Sequence, residues 1–209
     1  MHDKLPLSPE FYANSDVVLL ARKLIGKTLI VMRDGQRREA VITETEAYAG
    51  ITDRASHAWG GRFTSRTEVM YRRGGLAYVY LCYGLHSLFN VVTGPEGTPH
   101  AILLRGVYPV LNDAKMNFGN QVPDDLRKAG NGPGKLSRLM GIDRDMNGAD
   151  LCSGSDVWIT GTGIEIMEDD ISVSTRIGIG YAGKDAGLPY RFFIDRAVAE
   201  QAIKKTGYF

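Results

Sequence analysis

Ala77-Tyr78-Val79-Tyr80-Leu81-Cys82-Tyr83, a turn at Gly84-Leu85, and then His86-Ser87-Leu88-Phe89-Asn90-Val91-Val92-Thr93 is the stretch whose reading decides the fold. Both arms are rich in aromatic and β-branched residues and flank a glycine, so they read as a β-hairpin. A second hairpin precedes it. Thr28 to Met32 is a β-rich run, Asp34-Gly35 is the residue pair favoured in tight hairpin turns, and Arg38 to Tyr48 is the return strand. Ala101 to Val110 supplies a further strand, and Val157–Thr160, Ile164–Met167, Arg176–Tyr181 and Tyr190–Ile194 read as short ones.

Helical signals are fewer. Ser15 reads as the cap of a helix over Val17 to Ile25, with Asp16 at its positive end, Arg22 and Lys23 at the other, and Gly26 as its stop. Asn112 to Asn131 is polar and expected to be partly helical. Leu136 to Met140 is a short basic helix ending at Gly141, and Ala197 to Lys205 closes the chain as a helix. Ile51 to Gly75 has no sustained period and reads as a long ordered loop with one short helix after Thr64. Loops of that length are commonly functional. The expected architecture is α+β: one domain over residues 1–209, a curved, mostly antiparallel sheet with surrounding helices and a protruding β-hairpin.

Composition narrows the function. The chain has 209 residues and 44% apolar content, enough for a sizeable core. Its 25 Lys and Arg against 24 Asp and Glu give a net charge of +1, so any nucleic-acid surface must come from local clustering. The two cysteines, Cys82 and Cys152, and the four histidines lack metal-ligand spacing, so no metal or other cofactor is expected. Met1 to Leu7 lacks a signal-peptide core, and no apolar run is long enough to span a bilayer. A cytoplasmic setting, or a nuclear one in a eukaryote, is the expectation.

Two glycine motifs match by string and fail by context. Gly178-Ile179-Gly180-Tyr181-Ala182-Gly183 matches a dinucleotide fingerprint, but Gly187 and Pro189 break the helix that would have to follow. Close backbone packing at the glycines is the simpler explanation. Gly132-Pro133-Gly134-Lys135 has Leu136 where a phosphate loop needs Ser or Thr. What remains is a Gly-rich helix start with Lys135 and Arg138, able to hold one phosphate or to serve as a solvated basic face.

Two segments carry chemistry. Glu44, Glu46 and Tyr48 share a parity at the end of a strand, so all three point to one face. That face is either a catalytic cleft or a solvated surface. Tyr78, Tyr80 and Tyr83 crowd the hairpin, and the preceding loop offers Arg54, Arg62, Arg66, Arg72 and Arg73 with Trp59, Phe63 and Tyr71. Interleaved guanidinium groups and rings suit phosphates and bases, whereas core packing and surface solubility would explain each set separately.

Glu46-Ala47-Tyr48, His57, Gly60-Gly61-Arg62, the Tyr78 to Gly84 hairpin with Asn90, Leu103-Leu104-Arg105, Gly132 to Leu136 and Arg176 to Gly183 together resemble the alkyladenine (3-methyladenine) DNA glycosylase family, over nearly the whole chain. The resemblance implies a monofunctional enzyme that flips alkylated (3-methyl or 7-methyl) or otherwise damaged purines from double-stranded DNA and hydrolyses the N-glycosidic bond. It implies Glu46 as the base that activates water, with Arg105 as its partner. Tyr48, His57 and Tyr80 resemble the pocket for the flipped base, and Asn90 a filter against the exocyclic amino group of guanine. Tyr83 resembles the plug left in the stack, with Leu85 beside it. Arg62, Thr64, Arg66 and Lys135 are the expected backbone contacts. A monomer is expected. A non-catalytic damage binder would not need Glu46 with Arg105, and a nucleoside hydrolase would not need Tyr83 or the basic loop.

Overall fold

The computed structural model describes residues 4–110, 128–161 and 164–206. The elements in order are α1 (Pro9–Tyr12), α2 (Val17–Lys23), β1 (Thr28–Arg33), β2 (Gln36–Tyr48), β3 (Ala77–Cys82), β4 (His86–Thr93), β5 (His100–Pro109), α3 (Pro133–Met140), β6 (Val157–Thr160), β7 (Ser172–Ser174), β8 (Arg191–Phe193) and α4 (Arg196–Lys205). All named strand pairs are antiparallel, and the sheet runs β3-β4-β5-β2-β1-β6. With its helices this is the expected α+β architecture.

The long strand β2 is the spine. Its first half, Gln36 to Val41, pairs with β1 through the Asp34-Gly35 turn, where both residues have positive φ (51° and 70°) as a two-residue primed turn requires. Its second half, Glu44 to Glu46, pairs on that edge with β8, which in turn holds β7. The other edge pairs with β5 nearly throughout. Beside Glu44 the register slips twice, adding Thr43 on β2 and Arg105 on β5. Bulges of this kind re-aim side chains locally.

Alternation along the strands separates two faces. Ala47, Val79, Phe89, Val91, Ile102 and Leu104 lie in the main core. Thr45 joins that side, donating its hydroxyl to the Ala21 carbonyl of α2 at 2.8 Å. Buried residues of α2, α3 and α4 fill this core. The opposite parity, with Tyr78, Val92 and Ala101, faces the loop between β2 and β3 and packs on its Ala58, Val69 and Met70. Glu46 and Tyr48 belong to that second face.

Several boundaries differ from expectation. Asp16, not Ser15, caps α2, its carboxylate accepting from the Leu19 N–H at 2.9 Å. The loop after β2 holds three 3₁₀ turns, Gly50–Thr52, Trp59–Gly61 and Glu68–Tyr71, the last of them the helix expected after Thr64. Ile164 to Met167 is not a strand; Ile164 and Ile166 bury their alternate side chains against the core without a ladder partner. Arg176 to Tyr181 is not a strand either, because Gly178 at φ 76° turns the chain and a 3₁₀ segment follows. Residues 111–127, most of the expected polar helical stretch, lie outside the described residues.

Candidate active site

Glu46 is fully buried at the floor of the loop-covered face. One carboxylate oxygen, Oε1, accepts from the Ile177 backbone N–H at 2.7 Å, and Oε2 accepts from the Tyr48 hydroxyl at 2.8 Å. Arg105 Nε lies 3.4 Å from Oε1. Burial pushes the Glu46 carboxyl above the usual carboxylate range, although Arg105, the Ile177 N–H and the Tyr48 hydroxyl all pull the other way. Arg105 favours the charged form, but burial wins.

Arg105 is held by more than Glu46. The bulge on β5 turns its Nε to 3.1 Å from Glu44 Oε1, and that same oxygen accepts from Arg191 Nε of β8 at 2.7 Å. Glu44 thus stands beside Glu46 on one face, as parity required, and serves as the anchor of two arginines.

Tyr48, His57, Tyr80 and Asn90 meet in one pocket of about 50 Å³, which Tyr78 and Tyr181 also line. His57 Nδ1 is 2.9 Å from the Tyr78 hydroxyl, and Arg66 Nη2 donates to Nε2 at 3.2 Å. Because guanidinium only donates, the proton sits on Nδ1 and the ring is neutral. Burial, with Arg66 and Arg62 nearby, lowers the His57 pKa to about 4, which agrees. Asn90 is buried and gives its amide hydrogens to the carbonyls of Tyr78 (3.0 Å) and Leu88 (3.3 Å). Its side chain offers the pocket a fixed shape.

Tyr83 and Leu85 are not in the pocket. They project from the hairpin tip with 93% and 79% of their surface exposed, and Tyr83 takes the unfavourable φ of 51°. The strands are buried up to Val79 and from Leu88, and the residues between them reach out of the core, so the hairpin protrudes. Lys135 is exposed on the first turn of α3, where a Cβ on neighbouring Gly134 would come within 3.0 Å of the His86 ring beside the hairpin turn. Arg62 is exposed and lines an outer groove with Arg54 and Trp59. Arg66 lies over the Tyr80 ring at 4.7 Å, at the pocket mouth. Thr64 hydrogen-bonds with the buried Thr67, which ties down its loop.

Sequence reasoning missed the clamp that joins the two halves of the site. Asp53 and Arg176 form a buried bidentate pair, with Arg176 Nη2 donating to Asp53 Oδ1 at 2.9 Å and Nη1 bonded to Oδ2. Arg176 also donates to the Ala47 carbonyl at 2.9 Å and lies 4.8 Å from the Tyr48 ring and 5.2 Å from Tyr190. The clamp fixes Tyr48 and sets Ile177 over Glu46. The available signal was Arg176 at the head of a motif-like string and Asp53 as a rare acid in a basic loop. Close packing does not explain Gly178 and Gly180, since a Cβ at either would meet nothing within 4 Å; Gly178 is there for its φ of 76°.

Among the described residues no group of three or more His, Cys, Asp or Glu side chains is gathered as a metal site, and no helix is long and apolar enough to cross a membrane. The family described as methylpurine-DNA glycosylase (MPG) matches this chain over residues 10–198. A relative from Desulfitobacterium hafniense (strain Y51) is 41% identical over 198 residues, covering 90% of this chain and 95% of its own. One from Chlamydia abortus (strain DSM 27085 / S26/3) is 40% identical, with 90% and 97% covered. One from Bacillus thuringiensis (strain Al Hakam) is 38% identical, with 90% and 94% covered. Each of the three bears the name "Putative 3-methyladenine DNA glycosylase".

Proposed function

The chain belongs to the methylpurine-DNA glycosylase family, and from that premise we propose that it is a monofunctional DNA glycosylase that extrudes alkylated purines from duplex DNA and hydrolyses their N-glycosidic bond. One observation carries the reading: a fully buried carboxylate, Glu46, is hydrogen-bonded to Tyr48, which is itself a wall of an aromatic pocket.

A base must leave the stack to be attacked. Tyr83, exposed on the hairpin tip, fills the vacated space, and Leu85 supports the strand beside it. Arg62, Thr64, Arg66 and Lys135 hold phosphates and fix the register of the duplex. In the pocket, the ring faces of Tyr48 and Tyr80 attract a cationic alkylated base, and neutral His57 adds no competing charge. The rigid Asn90 amide crowds the guanine exocyclic amino group, which slows excision of unmodified guanine, whereas cationic 7-methylguanine, with its already weakened C1′–N bond, is still released.

Glu46 then takes a proton from a water whose oxygen attacks C1′ of the sugar. The C1′–N bond breaks, and its electron pair goes to the base and cancels its positive charge. The carboxylate stabilises the oxocarbenium-like sugar throughout. Arg105, anchored by Glu44, holds the charged form of Glu46 and keeps it in place. The products are a free base and an abasic site, and no step needs an amine nucleophile.

The test is base release from duplexes that each carry one defined lesion, beside the same lesions as free nucleosides. Turnover of alkylated duplex and not of nucleoside is expected. Turnover of nucleoside alone, or tight lesion binding without release, contradicts the proposal.

A further inference from the structure

The pocket is half open to the outside, but its interior of about 50 Å³ has room for only a few waters. A purine enters only if one wall moves. Most walls are fixed: Tyr48 is hydrogen-bonded to Glu46 and stacked by Arg176, His57 is bonded on both ring nitrogens, Asn90 is locked by two carbonyls, and Tyr78 is buried. Tyr181 is different. Its side chain is 71% exposed and held by one bond, its hydroxyl donating to the Ala55 carbonyl at 3.3 Å.

The backbone beneath Tyr181 is firm. Ile179 and Ala182 on either side are buried against Ala55, and Asp185 accepts from the Arg54 N–H at 2.9 Å. Arg176 binds Asp53 and the Asp185 carbonyl, which joins this segment to the loop bearing His57. The Tyr181 side chain can turn without disturbing that backbone. It also lines the outer groove of about 530 Å³ with Arg54, Trp59 and Arg62. The ring is therefore the partition between pocket and groove, with open space on its outer side.

We propose that Tyr181 is the door of the base pocket and a specificity-determining residue: it swings into the outer groove to admit a base and closes again only over bases small enough to let it regain the Ala55 carbonyl. The inference rests on the glycosylase reading above. A methylated purine permits closure and is retained. A base enlarged by an extra fused ring holds the door open and is retained less well.

The experiment compares Tyr181→Ala and Tyr181→Phe with the unsubstituted protein in single-turnover excision of 7-methylguanine and of an etheno-extended adenine from otherwise identical duplexes. Thermal unfolding of each protein is recorded alongside. Tyr181→Ala should unfold normally, because the side chain is mostly exposed. It should lower the ratio of 7-methylguanine to etheno excision about tenfold or more. Tyr181→Phe keeps the ring but cannot regain the Ala55 carbonyl, so its ratio should fall between those of Tyr181→Ala and the unsubstituted protein. An unchanged ratio in Tyr181→Ala, or equal slowing on both lesions, overturns the door while leaving the glycosylase reading intact. Absence of excision by the unsubstituted protein on both lesions overturns the reading itself, and the inference with it.

Discussion

Replacing Tyr83 with glycine should raise stability and lower activity together. Tyr83 is 93% exposed, so its removal forfeits almost no packing. It sits at φ 51° beside Gly84 at φ 70°, a conformation that costs a side-chain-bearing residue about 1–2 kcal/mol and glycine very little. Glycine gives back about 0.4–1 kcal/mol through the greater freedom of the unfolded chain. The net gain is about 0.5–1 kcal/mol, a rise in Tm of about 1–4 °C for a chain of this size. Excision should move the other way. A ring stacked in the vacated duplex contributes about 1–3 kcal/mol to the flipped state, so Tyr83→Gly should lower excision of a paired lesion by about ten- to a hundredfold. A lesion in a bulge is already unstacked and should lose much less. Tyr80→Ala should slow both substrates, since that ring lines the pocket. Calorimetry and single-turnover excision on paired and bulged lesions read both halves. Equal losses on the two substrates, or a fall in Tm, would refute the reasoning.

Further outcomes follow from the same geometry. Excision of 7-methylguanine, which needs no proton on the leaving base, should fail on the acid side as Glu46 becomes protonated. Because burial raises that carboxyl, the acid limb should lie above the ordinary 4.5, and Arg105→Met, which removes a charge that lowers the pKa, should move it to higher pH. A limb at or below 4.5, or a shift to lower pH, would contradict the electrostatics. Asp53→Asn leaves Arg176 as a buried charge without its partner and should cost about 3–5 kcal/mol in denaturant unfolding; a loss below about 1 kcal/mol would mean that the clamp is not structural. Binding to duplex should fall steeply with salt despite the net charge of +1. Three phosphate contacts from Arg62, Arg66 and Lys135 give a logarithmic slope of about −2.7, roughly fortyfold between 50 and 200 mM; a flat response removes them from the interface.

What could be read from the sequence was what is local. Asp34-Gly35 demands a primed turn whatever surrounds it, and the parity of Glu44, Glu46 and Tyr48 follows from strand geometry alone. The tyrosine-rich hairpin announced itself in the same way. The clamp was not legible, because Asp53 and Arg176 lie 123 residues apart and nothing local marks them as partners. Glu44 and Arg191 are separated by 147 residues. The paired bulges at Thr43 and Arg105, which decide where Arg105 points, leave no trace in composition. The Arg176 to Tyr181 run fails for a different reason. Its alternating apolar residues imitate a strand, and the φ of Gly178 that breaks it is set by the Arg176 anchor and by Ile177 reaching Glu46.

The most direct measurement is single-turnover base release by Glu46→Gln on a duplex with one 7-methylguanine, with lesion binding measured on the same preparation. Glutamine keeps the size of the side chain and can still accept from Tyr48 or Ile177, but it takes no proton from water. A general base of this kind contributes about 10²- to 10⁴-fold, so release should fall by at least that range while binding is retained. Glu44→Gln, which only loosens the anchor of Arg105, should lose no more than about tenfold. Substantial release by Glu46→Gln, or Glu44→Gln proving the inactive variant, would contradict the assignment of Glu46 as the base.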